Sequence, residues 1–272
     1  MEPRFSNINH CWGGLIIEEL TRLGVEYFCV APGSRSSPLV IALAQNEKTK
    51  TCVHFDERGL AFHAMGYAAA TKKPAVLICT SGTAAANFLP AIIEASKKKL
   101  PLIVITADRP PELRQTGAVQ TIDQVGLFGK YTQWAFDMPC PDINIVPNFV
   151  LTTVDQAWYQ AVRHHGVVHL NCMFRPPLTL AKTSDDLKSY LKPLESWEKS
   201  KVPYTDYVTG FESIALPAPK KIANRLDAIK NGLIVVGKIS GKAEADLVLH
   251  LAEKLGWPIF ADVSSGLRLP HY

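Results

Sequence analysis

Four short stretches of this 272-residue chain place chemically active side chains just past an apolar run, three of them before a helix-like pattern and the fourth at the head of a long loop. They are Pro32-Gly33-Ser34-Arg35-Ser36-Ser37, His54-Phe55-Asp56-Glu57-Arg58, Ser81-Gly82-Thr83 and Asp108-Arg109-Pro110-Pro111-Glu112. In an open parallel sheet, ligands bind in the crevice beyond the carboxyl ends of the strands, where all four stretches would fall. Ser34, Ser36 and Arg35 offer donors to an anion beside the free N–H groups of a helix start. The simpler reading of that stretch is a serine helix cap with Arg35 in solvent. Glu57 would open a helix facing the same crevice as Arg35; the simpler reading is an acid favoured by the helix dipole. Ser81-Gly82-Thr83 would present backbone N–H groups at a turn, and the alanines that follow equally let a helix lie close on the sheet. Taken singly, these three favour the simpler readings. Arg109 is different: the stiff Pro110-Pro111 segment would hold its planar fork at the crevice, where it suits a carboxylate. Gln120, in the same loop, adds a neutral hydrogen bond.

The elements that must position these residues follow from alternation of short β-type runs with helical periodicity. This is the pattern of an α/β fold, a doubly wound parallel sheet with helices on both faces. The spacing predicts a helix over 14–23 closed by Gly24 as its C′ glycine. A strand over 25–31 follows, then a helix with Pro38 as its first residue. Strand 51–55 leads into a helix over 56–71, and strand 75–80 into a helix over 84–96. Strand 102–106 is apolar except for its last residue, hence buried on both faces. The Pro/Gly-rich stretch 107–128 is long for a loop inside a domain, and such loops are usually functional or disordered. Weaker strands over 133–138 and 167–170 flank a helix over 150–162.

At roughly 100–200 residues per domain, the length allows one domain or two. We expect a complete α/β domain over 1–182. A linker over 183–219 would follow, rich in proline (Pro193, Pro203, Pro217, Pro219) and holding one short helix. The start of a second α/β domain occupies 220–272, with helices over 220–230 and 242–255 and strands over 233–237 and 258–262. Two such units do not close a core by themselves.

Several function classes are excluded. A formal charge of +4 is too mild for a nucleic-acid partner. No apolar run approaches the ~20 residues of a membrane span, and the N-terminus lacks the layout of a signal peptide. Six irregularly spaced cysteines without a C-x-x-C pair read as buried free thiols of a cytoplasmic protein. Gly237-Lys238-Ile239-Ser240-Gly241-Lys242-Ala243 is one residue short of a P-loop and has Ala243 where a Mg²⁺-binding hydroxyl belongs. No G-x-G-x-x-G follows a strand. His164, His165 and His169 lack metal-ligand spacing and read as surface or core residues.

In order, Ala31-Pro32-Gly33-Ser34-Arg35-Ser36-Ser37-Pro38, His54-Phe55-Asp56-Glu57-Arg58-Gly59, Thr80-Ser81-Gly82-Thr83-Ala84 and Thr106-Ala107-Asp108-Arg109-Pro110-Pro111-Glu112-Leu113 closely resemble one family. It is the thiamine-diphosphate-dependent SEPHCHC synthases of menaquinone and phylloquinone biosynthesis. The similarity continues to Gly256-Trp257-Pro258. The resemblance implies a pyrimidine-binding domain over 1–182 and the start of a transhydrogenase-like middle domain over 220–272. It implies decarboxylation of 2-oxoglutarate on thiamine diphosphate and addition of the succinyl-semialdehyde unit to isochorismate. It further implies a homo-oligomer, at least a dimer, with each site lying between two subunits.

By position, Glu57 matches the catalytic glutamate that hydrogen-bonds N1′ of the aminopyrimidine and activates the cofactor. The resemblance assigns Ser81, Gly82 and Thr83 to the cofactor, and Ser34, Arg35, Arg109 and Gln120 to substrate. Val119 departs from the polar residue some relatives carry there. The family's diphosphate domain, whose Gly-Asp-Gly…Asn segment holds Mg²⁺ (or Mn²⁺), does not occur in these residues. No metal ligand is therefore expected in this chain, and the chain alone is expected to be inactive. The alternatives are another thiamine-diphosphate-dependent decarboxylase of the acetolactate-synthase kind, against which Pro110-Pro111 and Ser34-Arg35 speak, and a non-catalytic interaction module.

Overall fold

Six short runs pair in parallel: β1 (Tyr27–Val30), β2 (Lys50–Val53), β3 (Ala75–Cys79), β4 (Leu102–Asp108), β5 (Trp134–Met138) and β6 (Val167–Met173). Their order across the sheet is β2-β1-β3-β4-β6-β5, so the chain winds outward from β1 in both directions and the switch point lies between β1 and β3. The computed structural model describes residues 5–207, 218–239 and 241–268. They fall into two compact units, 1–207 and 208–272.

In the first unit the helices are α1 (Ile8–Arg22), α2 (Ser37–Ala44), α3 (Glu57–Thr71), α4 (Thr83–Ala86), α5 (Leu89–Lys98), α6 (Asn148–Arg163), α7 (Leu187–Leu191) and α8 (Glu195–Lys199). Every residue of β3, β4 and β6 is buried, as expected for strands covered on both sides. Their side chains alternate between two cores. Val76, Ile78, Ile103 and Ile105 pack with α1, α2 and α6, whereas Leu77, Cys79, Leu102 and Val104 pack with α3 and α5. This bears out the doubly wound α/β reading. All six cysteines are free, five of them buried.

Of the elements whose bounds differ from expectation, three do so for identifiable reasons. α1 begins six residues before the predicted start, with the Asn7 side chain accepting from His10 N at 2.9 Å as its cap. Its interior pair Gly13-Gly14 reads as a helix start but answers to packing, since a Cβ on Gly13 would lie 2.4 Å from the Pro38 carbonyl oxygen of α2. The predicted helix over 84–96 is two helices, α4 and α5, because Pro90 lacks an N–H and crowds the preceding turn. β6 runs on to Met173 through Asn171, although polar residues in its middle made it read as ending at 170.

Within the stretch expected as a linker, α7 and α8 pack on the first unit. Trp12 Nε1 donates to Tyr190 Oη at 2.9 Å, and the Arg22 guanidinium lies 3.9 Å from the Trp197 ring centroid. Residues 208–217 of that stretch lie outside the described residues.

The second unit contains α9 (Ala218–Asp227), β7 (Ile234–Val236), α10 (Lys242–Leu255) and β8 (Ile259–Ala261), with β7 and β8 parallel. Val235, Leu247 and Phe260 are 69%, 70% and 61% exposed, so these units leave their apolar faces uncovered, as expected of two βα units. The loop before α10, read above as a failed P-loop, includes Ser240, which lies outside the described residues. Among the described residues, no helix is long and apolar enough to cross a membrane.

Glu19 of α1 and Asp155 of α6 form a buried pair of carboxyl groups. Glu19 accepts from Trp197 Nε1 at 2.6 Å and from Tyr204 N at 2.5 Å, which ties residues 197–204 to the first unit. Burial, reinforced by the neighbouring Asp155, pushes the Glu19 carboxyl from its ordinary 4.5 up to about 8. The folded chain therefore holds this proton more tightly than the unfolded chain does, and unfolding releases it. We expect stability to be greatest below about pH 4.5 with respect to this group, and to fall by on the order of a few kcal/mol as pH rises towards 8. Glu19→Gln should flatten that part of the curve, measured as Tm against pH from 5 to 9 (on the order of several degrees).

Candidate active site

The turns that follow β1 and β3 touch. Ala31 N donates to Ile78 O at 2.9 Å, and a Cβ on Gly33 would sit 2.4 Å from Thr80 Cβ, so only glycine permits this approach. The serines of the β1 turn bend it back on itself: Ser36 Oγ donates to Gly33 O at 2.9 Å and Ser37 Oγ to Ser34 O at 2.8 Å. Neither serine caps α2. The turn carries Arg35 inward, where it is only 7% exposed. Its Nη1 donates to Phe174 O at 2.6 Å, and its buried Nε has no hydrogen-bond partner. The simpler reading, a serine cap and a solvated arginine, is therefore corrected on both counts. Burial, and secondarily the guanidinium of Arg109, holds Arg35 below the usual arginine range, with Asp108 acting in opposition. Ser34 stands exposed at the same turn.

Arg109 is half-buried and reaches across its own loop, donating from Nε and Nη2 to Val119 O at 3.2 and 3.0 Å. The acceptor is a backbone carbonyl, so the contact does not depend on the Val119 side chain. The next residue, Gln120, is exposed and sits in the left-handed region at φ +55°. Its backbone lies 3.2–3.4 Å from where a Cβ of Gly82 would be, and Gly82 itself has φ +89°. Ser81 is buried and its Oγ has no partner, while Thr83 is exposed at the start of α4. The structure thus brings the β1 turn, Ser81-Gly82, Arg109 and Gln120 into one neighbourhood at the switch point.

Glu57 occupies a separate position on the same sheet edge. Asp56 caps α3, its Oδ1 accepting from Gly59 N at 2.8 Å. The Glu57 carboxylate is therefore left half-buried, with no hydrogen bond to the described residues. It opens onto a cavity of about 390 Å³ lined by Phe55, Asp56, Glu57, Arg58 and Asn87. Arg35 and Arg109 do not line that cavity.

Beneath the switch-point loops lies a buried polar network that sequence reasoning missed. Gly82 N donates to Gln124 Oε1 at 2.7 Å, so this N–H is not available to a ligand as the turn alone suggested. Gln124 Nε2 donates to Asn171 Oδ1 at 2.9 Å and to Ala107 O at 3.2 Å. Asn171 Nδ2 donates to Asp108 Oδ2 and Asp137 Oδ1, each at 2.8 Å. Arg114 closes the far end on Asp108 at 3.1 Å and Asp137 at 3.0 Å. Thr106 Oγ1 donates to Asn171 Oδ1 at 2.8 Å, which leaves it to accept from His169 Nε2 at 2.7 Å and fixes that tautomer. Burial holds His169 neutral, its pKa lowered to about 4. It is a core residue, as its spacing suggested. His169 and Asn171 are polar residues within a buried strand, a signal that was readable; Gln124 gives none, because its partners lie 17 to 47 residues away.

Residues 12–127 match the thiamine pyrophosphate enzyme, N-terminal TPP binding domain, and residues 188–271 match the middle domain of thiamine pyrophosphate enzymes. Both are domain models of the thiamine pyrophosphate enzyme family. The chain is similar to 2-succinyl-5-enolpyruvyl-6-hydroxy-3-cyclohexene-1-carboxylate synthase from Salinibacter ruber, 45% identical over 96% of this chain and 44% of the relative. The Rubrobacter xylanophilus protein of the same name is 46% identical over 96% of this chain and 45% of its own length. Protein PHYLLO, chloroplastic, of Arabidopsis thaliana is 46% identical over 97% of this chain and 16% of its own length. The chain spans under half the length of these relatives.

Gly82→Ala should destabilise the chain by about 1–2 kcal/mol, because a Cβ is strained at positive φ and would press on the Gln120 backbone. Urea unfolding should show a lower midpoint with an unchanged slope.

Proposed function

We propose that this chain forms the pyrimidine-side half of a thiamine-diphosphate-dependent synthase that decarboxylates 2-oxoglutarate and joins the resulting unit to isochorismate. One observation carries this reading: two guanidinium groups, Arg35 and Arg109, stand at the switch point, one of them buried with a partnerless N–H. A buried donor without a partner is costly, and a carboxylate would relieve it. Both substrates of the proposed reaction carry carboxylates. Ser34 and Gln120 add neutral hydrogen bonds at the exposed rim.

The residues present fit the cofactor. When bound, thiamine diphosphate supplies the electron sink for the carbon that loses carbon dioxide. Glu57 holds a proton at N1′ of the pyrimidine, a role that its lack of internal partners leaves open. We assign Ser81 and Thr83 to the cofactor as well, Ser81 on account of its unpartnered buried Oγ, with Gly82 serving by its shape rather than its N–H. Mg²⁺ or Mn²⁺ belongs with family segments outside these residues; among the described residues, no group of three His, Cys, Asp or Glu could hold a metal ion.

The reading includes a homo-oligomer with shared sites. Val53, Phe55 and Phe62 are 64%, 88% and 39% exposed on β2, the turn after it and α3, apolar side chains on the elements that flank Glu57, which a second subunit would cover. It also includes a cytoplasmic setting, in keeping with six free thiols, and the division into 1–182, 183–219 and 220–272, with α7 and α8 of the middle stretch docked on the first unit.

The test is a chimera in which this chain replaces the matched part of the Salinibacter ruber enzyme. Thiamine-diphosphate-dependent loss of isochorismate and 2-oxoglutarate is expected. Glu57→Ala should lower kcat by about 100-fold or more, whereas Arg109→Ala should mainly raise a substrate KM. Full activity in either variant would falsify the site assignment.

A further inference from the structure

We propose that Gln124 is a positioning residue that locks the Ser81-Gly82-Thr83 turn to the loop carrying Arg109 and Gln120, so that one buried amide sets the cofactor side and the substrate side relative to each other. The assignment of those two sides rests on the function proposed above; the lock itself does not.

Gln124 is 1% exposed, and all of its hydrogen bonds run to segments that the chain brings together from three strand ends. Its oxygen holds the β3 turn through Gly82 N, and its nitrogen holds the end of β4 through Ala107 O and β6 through Asn171. The direction of donation is the same throughout: Gly82 N–H to Gln124, Gln124 NH₂ to Asn171, Asn171 NH₂ to the carboxylates of Asp108 and Asp137. The far end of the network reaches the substrate side directly, because Asp108 Oδ1 accepts from Arg109 N at 2.7 Å.

Geometry tightens the coupling. The Gln120 backbone lies against Gly82 on one side, and Arg109 grips the preceding carbonyl on the other. Gln124 lies four residues beyond Gln120, within the same loop. Releasing Gln124 would free Gly82 N–H and remove the anchor that holds the left-handed Gln120 against the turn. A buried hydrogen-bonded network with every partner matched rigidifies its surroundings, and a half-satisfied one loosens them.

The experiment has two arms. In the 272-residue chain, amide hydrogen exchange at Gly82 and over 118–122 is compared between wild type, Gln124→Met (same length, no amide) and Gln124→Glu, which keeps the acceptor for Gly82 N–H. Gln124→Met should speed exchange at both places by about tenfold, the scale of one net hydrogen bond, while α1 and α6 stay protected. Gln124→Glu should keep Gly82 slower than Gln124→Met does. If Gly82 of the wild-type chain exchanges as freely as an exposed amide, the lock does not exist, whether or not either variant folds.

In the chimera, Gln124→Met should raise KM for thiamine diphosphate and for 2-oxoglutarate together. A residue that only packs would lower Tm with both KM values unchanged, and that result overturns the positioning role. An inactive wild-type chimera counts against the proposed function and leaves the exchange arm to decide the lock.

Discussion

A carboxylate buried at the end of the central strand governs the carboxyl edge of this sheet. Asp108 is fully withdrawn from solvent, and a charge in that position persists only when its oxygens are saturated with donors. One oxygen takes the backbone N–H of Arg109, and the other takes Asn171 and Arg114. Meeting that requirement fixes where the loop after β4 departs, folds its Arg114 back over the strand ends, and turns Asn171 to face Gln124. The candidate substrate-side residues are placed by these obligations before any ligand arrives.

The scaffold was largely legible because its signals are local and periodic. Runs of buried β-formers, helix stops such as Gly24 and the acid opening α3 all declare themselves within a few residues. The failures occurred where tertiary packing overrode local preference. Inside α1, Gly13 lies where α2 passes too close for a side chain and Gly14 where the Phe5 ring does, and β6 reads as short because its polar residues serve a network rather than the core.

The candidate site was legible in its residue types but not in their disposition. Arg35 alone reads as a solvated side chain; burial beneath the β1 turn depends on Ser36 and Ser37 bonding backward, which spacing does not reveal. Likewise, the Gly82 turn reads as a set of free N–H groups until Gln124, far along the chain, is seen to engage one of them. The ordered set of motifs gave more than any single motif, because four turns at successive strand ends constrain one another through the sheet that carries them. The docking of α7 and α8 was equally hidden, since proline and lysine mask the few anchoring side chains, Tyr190 and Trp197.

The one-way polarity of the buried amide network bears on how such a sequence can drift. Gln124 and Asn171 each present an oxygen to one neighbour and an NH₂ to the next, so replacing either by an apolar residue strands partners on both sides, and replacing Gln124 by its acid keeps one side only. A viable change at one position then requires a compensating change at the other, or at the carboxylates that terminate the chain of donors. The hydrogen bonds therefore tie these positions to one another, whereas the exposed loop residues above them carry no such mutual requirement.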